Sequence, residues 1–317
     1  VIWWLLAGLL LIGWLTYRGR ANRRIHRPPV LDENGQPYDV AHVNLSDGVT
    51  VPLIDAGEGP VVLLVPGADG IRQTWRYQIP DLARTHRVLA PDLRTEIPAG
   101  ATFDRLARDL DEILDDRGVQ RAVVVGQSLG GAIALRFAAS RPGRVGGLAV
   151  VNSLARVSYG HVGLNRTLLV PVAMATTRYL PTPLARWFGR LWSRLEIWVF
   201  DASPGAERVI DYVLWSGPRT VPPGVSSRRV ELLKSTDLRP ELQAIEAPTM
   251  IVKGTHDTYV PVAWSKEIAG AIPGARYVEV PGAGHCAHIS MPETFNRILI
   301  GWIDGIGESP GCKEAKG

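Results

Sequence analysis

Ser128 stands at the centre of Gly126-Gln127-Ser128-Leu129-Gly130, behind the apolar run Val123-Val124-Val125 and ahead of the helix-prone Ala132-Ile133-Ala134-Leu135-Arg136-Phe137. A serine between two glycines, lifted on a sharp turn between strand and helix, is placed to act as a nucleophile. A free hydroxyl reacts poorly at neutral pH, so it needs a base, which is most often a histidine oriented by a carboxylate. Downstream, His285 follows a strand-like run in Pro281-Gly282-Ala283-Gly284-His285, and Asp257 follows another in Lys253-Gly254-Thr255-His256-Asp257. The order Ser128, Asp257, His285 suits acyl transfer at the edge of a parallel sheet.

The rival assignments are less well placed. His288 lies three residues beyond His285, about one helical turn away. His256 adjoins the acid and reads as a turn residue, and Asp92 reads as structural at a strand end. An acid could also follow the strand Val145–Val151, but Asn152-Ser153 stands there. Acyl transfer further requires two backbone N–H groups aimed at the developing oxyanion. Leu129, directly after the serine, supplies one. Ala68, in the loop Pro66-Gly67-Ala68-Asp69-Gly70, supplies the other. That loop lacks the Gly-Lys-Ser/Thr of a phosphate loop, so nucleotide chemistry is set aside.

These residues need a sheet to hold them. Strands are expected at Tyr38–Asn44, Val49–Ala56 (joined by an Asp47-Gly48 turn), Val61–Val65, Arg87–Pro91, Val123–Gly126, Val145–Val151, Thr249–Val252 and Tyr277–Val280. Continuous apolar runs mark strands buried on both faces. Leu106, Leu110, Ile113 and Leu114 give Phe103–Arg117 helical spacing, and further helices follow Pro261 and Pro292. Strand–helix alternation predicts an α/β protein, a mostly parallel sheet with helices on both faces.

The expected organisation is an anchor over 1–17, a basic linker over 18–35, a core over 36–153 and 236–306, a helical cap over 154–235 and a frayed tail over 307–317. Within the cap, Leu184, Trp187, Phe188, Leu191, Leu195, Trp198 and Val199 recur at helical steps, with Arg186, Arg190 and Arg194 on another face. This reads as an amphipathic helix whose apolar side, around Trp187, Leu191 and Trp198, covers a substrate pocket. Its arginines are either solvated or turned to anionic headgroups.

Val1–Tyr17 is uncharged and apolar, with Trp3, Trp4, Trp14 and Tyr17 suited to membrane interfaces. Arg18, Arg20, Arg23, Arg24 and Arg27 follow. The pattern predicts a single-pass transmembrane helix with the catalytic domain in the cytoplasm. Those five arginines outnumber the formal net charge of +4, so the basic character is local and no nucleic-acid surface is expected. With only two cysteines, Cys286 and Cys312, neither a disulfide framework nor zinc spacing is present. No metal or organic cofactor is called for.

From Tyr38 to Ile306 the chain resembles the α/β-hydrolase superfamily, through VVLLVPGADG, RVLAPDLR, VVVGQSLGG, MIVKGTHDTYVP and VPGAGHCAHISMPETF. The resemblance implies an eight-stranded, mostly parallel sheet with the cap inserted after the sixth strand. Two departures border the pocket: Pro66-Gly67 where the family commonly has His-Gly, and Thr95-Glu96-Ile97 where Gly-x-Gly-x-Ser is common. A serine nucleophile excludes the epoxide and haloalkane chemistry of relatives that use aspartate there. With the anchor, the chain is similar to membrane-bound monoacylglycerol lipases, which implies a carboxylesterase or lipase for lipophilic acyl esters. The alternatives are an acyltransferase or carbon–carbon hydrolase of the same fold, and a non-catalytic membrane scaffold. The expected partners are a small acyl ester and the bilayer.

Overall fold

A computed structural model describes residues 4, 8–14, 17, 27–157, 169–216, 222 and 224–307. Its frame is one eight-stranded sheet built from β1 (Ala41–Asn44), β2 (Thr50–Ala56), β3 (Val61–Val65), β4 (Arg87–Pro91), β5 (Ala122–Gln127), β6 (Val145–Val151), β7 (Thr249–Gly254) and β8 (Arg276–Val280). The spatial order is β1-β2-β4-β3-β5-β6-β7-β8. The hairpin β1–β2 and the β2–β4 pair are antiparallel, and every other pair is parallel. Gly48, at φ 83°, turns the hairpin between the expected strands.

The longer helices of the core are α1 (Phe103–Asp116), α2 (Leu129–Ser140), α7 (Val262–Ala271) and α8 (Pro292–Gly307). Between β6 and β7 the cap carries α3 (Val170–Tyr179), α4 (Thr182–Arg194), α5 (Ala206–Trp215) and α6 (Val225–Lys234).

Alternation along the strands explains the layers. Leu63 and Val65 of β3 join one apolar core with Leu106, Leu110 and Ile113 of α1 and Ile133 and Phe137 of α2. Val62 and Leu64 join the opposite core with Phe295, Leu299 and Ile303 of α8. Successive side chains of a strand point to opposite faces, so a strand covered on both sides must be apolar throughout. Burying each such side chain contributes roughly 1.5–3 kcal/mol. A third core, with Ile71, Phe200, Val209, Ile210 and Val213, joins the cap to the loops above the sheet.

The expected cap helix differs in length and in orientation. It ends at Arg194 rather than Phe200, and Glu196 and Trp198, at φ 51° and 60°, break the repeat. Its buried face is Ala185, Gly189, Trp192 and Ser193. Leu184, Trp187 and Leu195 face outward at 44%, 56% and 53% exposure, so part of the expected apolar face is turned to solvent and Trp192 is its large side chain in the core. Gly189 explains the choice: a Cβ there would already touch Ile210 Cγ2 of α5 at 3.0 Å, and only small residues permit so close a packing. Two of the three arginines are held by acids of α5 rather than left free, Arg186 by Asp211 at 2.5 Å and Arg190 by Glu207 at 2.6 Å.

The transmembrane expectation is corrected. Among the described residues no helix is long and apolar enough to cross a membrane. The described run of the N-terminal stretch, 8–14, is helical and exposed. The cytoplasmic placement and the bilayer as partner rested on that anchor and fall with it. Arg18, Arg20, Arg23, Arg24, Cys312 and the tail from 308 onward lie outside the described residues.

Candidate active site

Four loops at the carboxyl ends of the parallel strands β3, β5, β7 and β8 carry the candidate residues, where sites in open α/β sheets form. Ser128 links β5 to α2 with φ 54° and ψ −119°, a conformation uncommon for a residue with a side chain. Its N–H donates to Val151 O at 2.9 Å, and Ser153 Oγ donates to its carbonyl at 2.6 Å. The flanking glycines are required by contact. A Cβ on Gly126 would lie 2.3 Å from Gly130 O, and one on Gly130 would lie 2.4 Å from the carbonyls of Val65 and Pro66. The same closeness packs Val65 and Pro66, where β3 enters the Pro66–Gly70 loop, onto the serine turn. Leu129 opens α2, whose first N–H groups have no intrahelical acceptor and carry the positive end of the helix dipole.

His285 and Asp257 meet directly. His285 Nδ1 lies 3.1 Å from Asp257 Oδ2, and both side chains are buried. Asp257 Oδ1 accepts the N–H groups of Tyr259 and Val260, each at 2.9 Å. Burial alone would raise this carboxyl, but His285 and then Lys253 outweigh it and hold it below the ordinary carboxylate value. With Nδ1–H directed at the acid, Nε2 keeps its lone pair, the tautomer a base requires. Nε2 is faced by the Gln127 side-chain amide at 3.3 Å, and Ser128 and His285 form no hydrogen bond with each other in this structure.

The remaining candidates separate by surroundings. His288 is buried, its Nε2 is 2.9 Å from Thr74 Oγ1, and burial pushes it down to about 3. His256 is exposed. Asp92 is tied to Arg72 at 2.9 Å and Arg27 at 2.8 Å, a structural ion pair. Trp187 points to solvent and reaches no site, and Leu191 is half-buried. Trp198 lines a cavity of about 160 Å³ with Val170, Leu195, Glu196, Ile197, Thr258 and Tyr259. The Tyr259 ring stands edge-on to His285 with centroids 5.0 Å apart, so the cavity and His285 share Tyr259 as a neighbour. Among the described residues no group of three His, Cys, Asp or Glu could hold a metal ion.

Several residues the sequence reading passed over hold the site together. Asn152, at φ 45°, donates from Nδ2 to Gly284 O at 3.0 Å and His285 O at 2.9 Å, and its Oδ1 accepts Gly254 N–H at 2.8 Å. It thus fastens the histidine loop to the end of β7. Lys253, inside the apolar β7, lies 2.8 Å from Asp257 Oδ2 and donates to Val260 O at 2.6 Å. Its signal was the one charge in an otherwise apolar strand. Asp201, from the cap, is buried with Oδ2 unpaired and with burial raising its carboxyl.

Comparison with known proteins adds to this geometry. Residues 60–292 match the family described as alpha/beta hydrolase fold. A protein from Klebsiella pneumoniae, named as a carbamate hydrolase, RutD, is 30% identical over 253 residues, covering 76% of this chain and 90% of its own. A hydrolase from Pseudomonas aeruginosa superposes with a TM-score of 0.64 at 26% identity, covering 84% of this chain and 98% of that one. An enol-lactonase from Burkholderia xenovorans does so with a TM-score of 0.65 at 25% identity, covering 83% and 100%.

Proposed function

The chain belongs to the α/β-hydrolase family and is a hydrolase, and from that premise we propose that it cleaves carboxylic esters with Ser128 as nucleophile, His285 as base and Asp257 as its orienting acid. The observation that carries this reading is the buried His285–Asp257 pair, set on the loops that border the Ser128 turn.

In this mechanism Ser128 Oγ attacks the ester carbonyl carbon as its proton passes to His285 Nε2. The Gln127 amide must yield that lone pair as the hydroxyl engages, in keeping with the looser geometry of sites without substrate. The N–H groups of Ala68 and Leu129 take the negative charge that gathers on the carbonyl oxygen. His285 then gives its proton to the leaving alkoxide, the C–O bond breaks and an acyl-enzyme remains. Water, deprotonated by His285, attacks that ester, and the bond to Ser128 Oγ breaks as His285 returns the proton to Oγ, releasing the acid and restoring the free serine. Asp257 keeps its charge throughout and stabilises the imidazolium.

Long acyl chains lose their main argument with the membrane anchor. The cavity of about 160 Å³ between Trp198 and Tyr259 suits a short acyl or alcohol group. Lactones and carbamates present the same attackable carbonyl, and relatives carry names of both kinds.

The experiment is hydrolysis of p-nitrophenyl esters from short to long acyl chains, alongside an enol lactone and a carbamate, with wild type and Ser128→Ala. Turnover should peak at short chains and fall by about 10³-fold or more in Ser128→Ala, Asp257→Asn and His285→Ala, each still folded. Full activity in Ser128→Ala, or failure of a fluorophosphonate to label wild type at Ser128, would sink the reading.

A further inference from the structure

The cap reaches the candidate oxyanion loop through one arginine. Arg229, on α6, is fully buried. Its Nη1 donates to the carbonyls of Ala68 at 3.2 Å and Asp69 at 3.1 Å. Its Nη2 donates to the carbonyls of Leu93 at 2.8 Å and Arg94 at 2.6 Å. Among the described residues no carboxylate makes a salt bridge with it. Burial pulls the guanidinium down to about 10, with Asp69 and Asp92 acting against that loss, so it stays charged at neutral pH.

The acceptors are what make this contact more than a staple between cap and core. Gly70 N–H donates to Gly67 O at 2.9 Å, which closes a four-residue turn with Ala68 and Asp69 at its centre. Arg229 takes the carbonyls of both central residues. Rotation of the Ala68–Asp69 peptide, the soft motion of such a turn, would swing the Ala68 carbonyl off the guanidinium. Space has been made for this grip: a Cβ on Gly70, at φ +65°, would lie 2.1 Å from Nη1. A second cap helix acts on the same turn, since Tyr212 OH of α5 donates to Asp69 Oδ2.

We infer that Arg229 is a positioning residue: it locks the Gly67–Gly70 turn so that Ala68 N–H points at the reacting carbonyl oxygen, and the cap thereby completes the oxyanion hole. This rests on Ser128 acting as proposed above. The Ala68 N–H belongs to the peptide directly before the one Arg229 clamps, so loss of the clamp misdirects the donor without touching the substrate. Arginine suits the task because its planar fork spans several carbonyls at once, which a lysine ammonium on one stem does not.

The test uses Arg229→Met, Arg229→Lys and Tyr212→Phe in the full chain. Steady-state kinetics on a p-nitrophenyl ester should show kcat lowered about 10-fold to 100-fold with KM within about twofold. Binding of a boronic acid, whose tetrahedral adduct on Ser128 places an oxygen in the hole, should weaken in parallel. Arg229→Lys should not restore kcat, although it keeps the charge. Amide hydrogen exchange at residues 67–70 should speed up. A folded Arg229→Met that keeps kcat and boronate affinity, or one in which only KM rises, overturns the proposal. If both Arg229 variants fail to fold, Tyr212→Phe decides it: a smaller fall in kcat at constant KM supports the clamp, and unchanged kcat refutes it. Failure of the hydrolase reading looks different, because wild type itself would then show no Ser128-dependent turnover, while exchange at 67–70 would still report the grip of Arg229.

Discussion

Lys253 Nζ lies 2.8 Å from the same Asp257 oxygen that His285 Nδ1 faces at 3.1 Å. One buried carboxylate oxygen therefore serves two partners, and only one of them belongs to the proposed triad. Lys253 also ties down the loop beyond the acid, through Val260 O.

Lys253→Met should make the protein more sensitive to acid. Asp257 is held below its ordinary value, so its contribution to stability is present above about pH 4 and is lost as the pH falls through the depressed folded value. Removing the lysine lessens that depression, and acid unfolding should begin at higher pH. Circular dichroism between pH 2 and pH 7 reads this directly. Superimposable acid curves for variant and wild type would show that the ammonium does not stabilise the carboxylate.

Asn152→Ala should cost about 2–4 kcal/mol, since three hydrogen bonds of a buried side chain are lost and their partners stay buried. Asn152→Gly separates backbone from side chain, because glycine accepts φ 45° without strain. Urea denaturation of both variants makes the measurement. A smaller loss in the glycine variant assigns the difference to the left-handed backbone, whereas near-wild-type stability in both would refute the fastening role.

His288 gives a pH signature of its own. Burial, then His285 and Arg76, push it from an ordinary 6.5 to about 3 in the folded state. The unfolded chain binds that proton first, so the histidine costs stability as the pH falls from about 6.5 towards 3, by up to about 1.4 kcal/mol per unit. His288→Gln should flatten that portion of the stability curve relative to wild type. Equal slopes in the two proteins would mean that the folded protein accepts the proton as readily as the unfolded chain.

The two faces of α4 should respond in opposite ways to substitution. Trp187→Ser should shift stability by no more than about 0.5 kcal/mol, as for an exposed site, whereas Trp192→Ala should cost about 3–5 kcal/mol. Trp192 is buried and its Nε1 donates to Thr176 Oγ1 at 3.0 Å. Thermal melts of the pair suffice, and a larger loss for Trp187→Ser would restore the inward orientation expected from the apolar repeat.

Why some of this was legible from sequence follows from the physics of each element. Val61–Val65 and Val145–Val151 read directly as strands, because a strand covered on both faces has no polar position to blur the pattern. The turns bearing Ser128 and His285 were legible through their glycines. The orientation of α4 was not, because its neighbour decided it: Gly189 lets the helix approach Ile210 closely, and Trp187 is left facing outward. The N-terminal expectation rested on hydropathy, which records composition and not the helix a span requires, and among the described residues no helix is long and apolar enough to cross a membrane. Asn152 was noticed only for lacking a carboxylate, since hydrogen bonds to residues distant in the chain leave no mark in its own neighbourhood. Arg229 escaped for the same reason.

The position of the cap between β6 and β7 has a consequence for the order in which the chain is made. A ribosome delivers Ser128 and its turn early, then the whole cap, and only afterwards Asp257 and His285. Domains generally fold as units during synthesis, N-terminal parts first. The nascent protein would therefore carry Ser128, the proposed nucleophile, for much of elongation without His285, its proposed base. By the time His285 arrives, Arg229, the proposed clamp of the Gly67–Gly70 turn, has already been made.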